Sequence, residues 1–123
     1  MDFALTNEQE MVVDTVRTFV ERELIPHEEE VERLGDVSLD LVARIRDRSL
    51  EAGIYAANMP AEFGGGGLDN LTMALVDRAF GWTQYALHYV VARPSNILLA
   101  CTGDQVEEYL LPTIRGERVD CLA

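Results

Sequence analysis

The sequence predicts an all-α fold: an up-and-down, orthogonal-type bundle of five to six helices, with the start of a β-strand at the C-terminus. Three observations predict it. Apolar residues recur at helical spacing, as in Val12, Val16, Phe19, Val20 and Leu24. Helix-start residues stand ahead of the periodic runs, at Thr6, Ser38, Asp69, Thr83 and Thr102. Strand-like alternation is confined to the last six residues.

The first helix is expected over 7–24. Thr6 and Gln9 have the spacing of a capping box, in which each side chain bonds the other's backbone amide. Met11 and Val13 widen the apolar stripe that follows. Pro26 ends this helix, because the residue before a proline avoids helical angles. The acidic stretch 27–36 reads as a loop or frayed turn. Ser38 caps a second helix over 39–52, with Leu39, Val42 and Ile45 inward and Arg44, Asp47, Arg48 and Glu51 partly wet. Gly53 suits a left-handed C-terminal cap.

The connection 53–69 contains Pro60 and four glycines in a row. It lacks the lysine and the serine or threonine of a phosphate-binding loop, and no strand pattern precedes it. It reads as a tight irregular turn. Asp69 caps a third helix over 70–80, which Gly81 and Trp82 break. Thr83 caps a fourth, running towards Ala100 with a kink at Pro94. Thr102 and Gln105 form a second capping box, opening a fifth helix through Leu111. Pro112 begins one more short turn, closed by Gly116. In the tail, Val119, Cys121 and Ala123 alternate with Asp120 and Leu122, as a strand would. A lone strand has nothing to pair with. The expectation is a helical domain over 1–117 and the opening of a β-domain at 118–123.

Composition narrows the function. The 123 residues suit one domain, and 48% hydrophobic content can fill a core. The net charge is -12, from 22 acids against 10 bases, and every base is arginine. That balance argues against nucleic acid and against an anionic membrane surface, both of which need clustered bases. The densest apolar window, 85–101, contains Arg93 and Pro94, so it is no membrane span. The opening residues lack the basic and apolar regions of a signal peptide. Cys101 and Cys121 have no metal or redox spacing and read as free thiols. A soluble, cytoplasmic chain is expected.

The stretch 68–101 is apolar on nearly every side of a helix drawn through it. Such a segment must be wrapped by the rest of the domain. One polar line interrupts it: Gln84, His88 and Ser95 fall near one side, with Val91 and Ala92 between them. Buried polar groups need partners, so these residues either bond within the core or line a wet cavity. Metal binding is disfavoured, because a di-iron bundle needs paired Glu-x-x-His. His27 and His88 have Leu24 and Tyr85 at that position. No nucleophile elbow suggests a hydrolase. His27, in its acidic surroundings, reads as a surface residue.

Taken in order, these segments resemble the N-terminal helical domain of acyl-CoA dehydrogenases. LTNEQEMVVDTVRTFVERELIP looks like that family's first helix. LVARIRDRSLEAGIYAANMPAEFGGGGLDNLTMALVDRAF is similar to its second helix, glycine-rich turn and third helix. TGDQVEEYLLPTIRGERVDCLA is similar to its later helix, proline-led turn and passage into the β-domain. The resemblance covers essentially the whole chain. One departure is Cys101, where the family usually carries glycine; it touches only the local cap.

The resemblance implies an oxidoreductase of three domains that together hold FAD. A carboxylate takes the α-proton of an acyl-CoA, and the β-hydrogen leaves as hydride to flavin N5. Electron-transfer flavoprotein then typically reoxidises the flavin. The resemblance also implies a place in fatty acid metabolism and a homotetramer or homodimer at full length. The base and most of the flavin site are expected in the missing β and C-terminal domains, so this piece alone should be inactive. A positioned base near the reacting carbon is indispensable for such proton abstraction. The family's fourth helix forms a wall of the acyl channel, and the matching positions are Gln84, Tyr85 and His88. A histidine and a tyrosine there suit a polar or aromatic acyl group. The competing reading makes Tyr85 and His88 core residues satisfied by nearby backbone. Leu122 and Ala123 match positions whose backbone could touch the flavin ring. A flavin acyl-CoA oxidase, a related monooxygenase and a stand-alone helical interaction module are the alternatives.

Overall fold

A computed structural model describes residues 3–91 and 94–119 of the chain. Its first helix, α1 (Asn7–Phe19), starts on the expected capping box. The Gln9 amide donates to Thr6 Oγ1 at 3.2 Å, and the Thr6 amide donates to Gln9 Oε1 at 3.0 Å. Val13, Val16 and Phe19 form its buried stripe. Helix α3 (Leu39–Glu51) starts on Ser38, and α4 (Asn70–Phe80) starts on Asp69, whose carboxylate accepts the Thr72 amide at 2.7 Å. These local caps placed three helix starts correctly, because a cap and its partner lie within one turn.

Pro26 does not end the helical path. The chain widens into a π-type turn over Val20–Leu24, tightens over Ile25–His27, and continues as α2 (Glu28–Leu34). The stretch expected to be a loop is therefore largely helix, closed by Gly35 at φ 71°. The same device recurs near the C-terminus. A wide turn over Val106–Leu110 leads without a break into α6 (Leu111–Ile114), the expected short turn with Pro112 in its opening positions and Gly116 left-handed after it. The two segments share a pattern, VERELIP and VEEYLLP. In each, the amide of the residue before proline reaches back five positions, Ile25 to Val20 and Leu111 to Val106. A proline ring collides with the carbonyl four residues earlier and supplies no amide of its own. Widening the preceding turn accommodates both defects without a break.

Further expectations are corrected. Leu39 is 85% exposed; the inner face of α3 is Leu41, Ile45 and Ser49. The long fourth helix does not form. Helix α5 spans only Tyr85–Val90, with Gln84 and not Thr83 at its N-cap, and a separate 3-10 turn covers Asn96–Ala100. Ser95 caps that turn and so lies on a different element from His88. At the second capping box, the Thr102 amide donates to Gln105 Oε1 at 3.1 Å, while the Gln105 amide bonds the Thr102 carbonyl and not its hydroxyl. Among the described residues there is no strand. The strand expected at 118–123 lies mostly outside them, as do Ala92, Arg93, Cys121, Leu122 and Ala123.

The core has two parts. In the larger, Val13, Val16 and Phe19 of α1 meet Met73, Val76 and Phe80 of α4, closed by Leu41 and Ile45 of α3 and by Leu87. In the smaller, Leu110 and Ile114 pack on Tyr55, Ala56 and Met59. The glycine run joins them. The Gly65, Gly66 and Gly67 amides donate to the carbonyls of Pro60, Ala56 and Met59 at 2.8–3.0 Å. A Cβ on Gly65 would run into the Met59 carbonyl, and one on Gly66 would stand 2.8 Å from Ala57 Cα. The glycines are there for close backbone approach, and their donors are already used. Asn58 ties this connection to the next: its Nδ2 donates to the Pro94 carbonyl at 2.8 Å and to Asn96 Oδ1 at 2.7 Å.

Candidate functional site

Helix α5 and the end of α4 enclose a groove of about 380 Å³. Its floor is apolar, from Ile54, Met73, Val76 and Val91, and its rim is aromatic. The His88 ring stacks on Phe80, with centroids 4.8 Å apart and planes 6° from parallel. Tyr85 meets His88 edge-on at 6.3 Å and 80°, and the Tyr89 ring lies 6.0 Å from that of Tyr85. His88 is half-buried, whereas Tyr85 is 75% exposed. Tyr85 is thus no core residue. Stacking and edge-on pairs of this kind are favoured by the ring quadrupoles and hold a small group of side chains in fixed orientations.

The structure brings Tyr85 and His88 to one groove and turns Gln84 away from it. The Gln84 side chain donates to the Glu28 carbonyl at 2.9 Å, and its backbone amide donates to Glu28 Oε1 at 3.2 Å. Thr83 Oγ1 donates to the same carboxylate oxygen at 2.8 Å. Sequence reasoning missed Tyr89, Asp77 and Phe80 as groove residues. Tyr89 was within reach, since it stands one helical turn after Tyr85. Phe80 and Asp77 were not, because their approach depends on the turn at Gly81. An apolar trough with a few polar groups at its rim is the usual form of a small-molecule site.

The C-terminal end carries a second, more open groove of about 420 Å³, lined by Leu98, Cys101, Gln105, Tyr109, Arg118 and Val119 among others. Cys101 is a free thiol there. Leu122 and Ala123, matched to the flavin edge, lie outside the described residues. Among the described residues, no cluster of three or more His, Cys, Asp or Glu could hold a metal ion, and no helix is long and apolar enough to cross a membrane.

Comparison with known proteins gives these grooves a context. The family described as "Acyl-CoA dehydrogenase, N-terminal domain" matches residues 6–117. A 3-(aryl)acrylate reductase of Clostridium sporogenes is 27% identical over 92% of this chain and 30% of its own length. A probable acyl-CoA dehydrogenase of Bacillus subtilis, YngJ, is 32% identical over 94% of this chain and 31% of its own. The caffeyl-CoA reductase-Etf complex subunit CarC of Acetobacterium woodii is 24% identical over 92% of this chain and 30% of its own. The chain spans about three tenths of the length of each of these relatives. With every described helix inside the matched span, the chain belongs to the acyl-CoA dehydrogenase family, as its N-terminal domain.

Proposed function

We propose that this chain serves a flavin-dependent acyl-CoA dehydrogenase, an oxidoreductase acting on the α,β-bond of an acyl-CoA thioester, and that it supplies one wall of the acyl channel. Residues 1–117 are read as the helical domain and 118–123 as the start of the β-domain. The observation that carries the wall reading is the apolar groove rimmed by Tyr85 and His88. An apolar floor shelters a hydrocarbon tail from water, and each CH₂ so buried contributes about 0.8 kcal/mol. The aromatic rim and the imidazole suit an acyl group that ends in a ring or a polar function. Two relatives with aromatic acyl names, an aryl-acrylate reductase and a caffeyl-CoA reductase, support this substrate class. Gln84 serves by holding the start of α5 in place.

The described residues do not fit a whole FAD. A pyrophosphate is usually held at a glycine-lined helix start or by clustered bases. Here the amides of Gly65, Gly66 and Gly67 are occupied, and the C-terminal groove offers one guanidinium, Arg118. Most of the flavin site, and the base, belong on this reading to the β and C-terminal domains, so this piece alone is inactive. The exposed Ile97, Tyr109 and Val119 of the C-terminal groove suit cover by a further domain, which favours this reading over a stand-alone module. Electron-transfer flavoprotein is the proposed redox partner, supported by the relative named as part of an Etf complex. A homotetramer or homodimer in the cytoplasm, working in fatty acid or related acyl-CoA metabolism, completes the proposal. Relatives named as reductases favour one second reading, the same bond worked in the reductive direction.

The test is His88→Leu in the full-length flavoprotein, assayed across aliphatic and aromatic acyl-CoAs. The expected result is a shift of at least about tenfold in kcat/KM towards plain aliphatic chains, the scale of one changed pocket contact. Unchanged selectivity overturns the wall assignment.

A further inference from the structure

We propose that Glu28, in the first turn of α2, is a positioning residue for this groove: it caps α5 from across the bundle and thereby sets where Tyr85 and His88 stand. The proposal rests on the acyl-wall reading for its functional consequence, but its structural part stands alone. Helix α5 has six residues, too few to persist in water unaided. Its first amides need acceptors. Gln84, at the N-cap, makes no side-chain cap bond; its Nε2 donates to the Glu28 carbonyl instead. Glu28 accepts the first of those amides, that of Gln84. One carboxylate oxygen takes the Gln84 amide and the Thr83 hydroxyl, and the backbone carbonyl takes the Gln84 side chain. All three bonds come from a residue 55 or 56 positions earlier in the chain.

The geometry makes this a positioning device as well as a stabilising one. Leu87 is fully buried and pins the middle of α5 to the larger core. Val91 at its end and the partly buried Ala86 and Val90 pack on the same core, so apolar contact, which is non-directional, holds one face of the helix. Glu28 supplies the directional anchor, at the end from which Tyr85 projects. With both ends of that first turn fixed, the His88 ring meets Phe80 nearly parallel and Tyr85 meets His88 edge-on. Hydrogen bonds to an ionised acceptor are about twice as strong as neutral ones, which suits a carboxylate to the task.

The test compares Glu28→Ala, Glu28→Gln and Thr83→Val in the full-length flavoprotein. Glutamine keeps an oxygen that can accept both bonds; alanine keeps neither; Thr83→Val removes one donor while leaving Glu28 intact. Two readouts are taken: amide hydrogen exchange at residues 84–90, and kcat and KM across aliphatic and aromatic acyl-CoAs. In Glu28→Ala, exchange at 84–90 should rise by about tenfold or more, and KM for aromatic acyl-CoAs should rise with kcat nearly constant. Glu28→Gln should restore most of both, and Thr83→Val should fall between. Unchanged exchange in both Glu28→Ala and Thr83→Val overturns the cap, whatever the activity does. Raised exchange with unchanged acyl preference leaves the cap standing and overturns the acyl-wall reading on which its consequence depends.

Discussion

Asp69 stands where the glycine connection becomes α4, with its side chain exposed and bonded to the first turn of that helix. The Thr72 amide holds it first, then the Thr72 hydroxyl, with a smaller share from the Leu71 amide; slight desolvation pulls the other way. The net effect keeps this carboxyl below the ordinary aspartate value of about 3.9. A folded-state value below the unfolded one gives stability that is complete above the unfolded value. That stability disappears as pH falls through the folded one. Asp69→Ala should therefore melt below wild type at neutral pH, and the gap should narrow as pH falls from about 5 to well below the ordinary aspartate value. Asp69→Asn, which still offers a capping oxygen, should keep part of the cap and lose its pH dependence. Thermal melts followed by far-UV circular dichroism at both ends of that range check this. A gap independent of pH would show that the ionised carboxylate is not what caps α4.

At the scale of elements, the glycine connection is the seam between the two cores, and its demands are steric. Gly65 has no unusual backbone angle, yet a methyl there meets the Met59 carbonyl. Gly35 is the opposite case: open space around it, but φ 71°. Gly65→Ala should cost about 1–3 kcal/mol by overpacking, and should loosen Met59 and the smaller core with it. Gly35→Ala should cost about 1–2 kcal/mol from the left-handed backbone alone, without disturbing either core. Urea midpoints, with hydrogen exchange at Met59, separate the two. The same contrast between near and far explains what could be read beforehand. The starts of α1, α3 and α4 were legible because Thr6, Ser38 and Asp69 act within one turn. Helix α2 was not, since the proline rule describes a regular helix, and VERELIP escapes it by widening. Helix α5 was misjudged because apolar periodicity continued past the point where the structure turns, and because its cap comes from Glu28. The polar line singled out His88 and the family resemblance added Tyr85; the structure puts both side chains on one groove. The partner that turns Gln84 away from them could not be located, since no local pattern joins residues 56 positions apart.

For the whole molecule, charge is the dominant long-range term. A net charge of -12 on 123 residues sets like charges against one another throughout the folded surface. The acids Glu21, Glu29, Glu30, Glu32, Glu107 and Glu108 are all exposed. Local pairing relieves little of this: the Arg48–Glu51 bridge at 3.0 Å joins side chains more than half exposed, and such surface pairs contribute about 0–1 kcal/mol. Compaction brings the acids closer than the unfolded chain does, so self-repulsion opposes folding. Salt shortens its reach, from about 30 Å at 0.01 M to about 10 Å at 0.1 M and about 3 Å at 1 M. Neighbouring surface acids interact within the first two of these distances, so most of the relief should arrive between the lowest and middle concentrations. The thermal midpoint should therefore rise with sodium chloride, steeply up to about 0.1 M and slowly beyond it. Potassium chloride should give the same curve, because screening depends on ionic strength and not on the identity of a monovalent cation. A midpoint that is flat or falls over this range would mean that the arginines already balance the acids in the folded state, and that the surplus of carboxylates is felt chiefly in the unfolded chain.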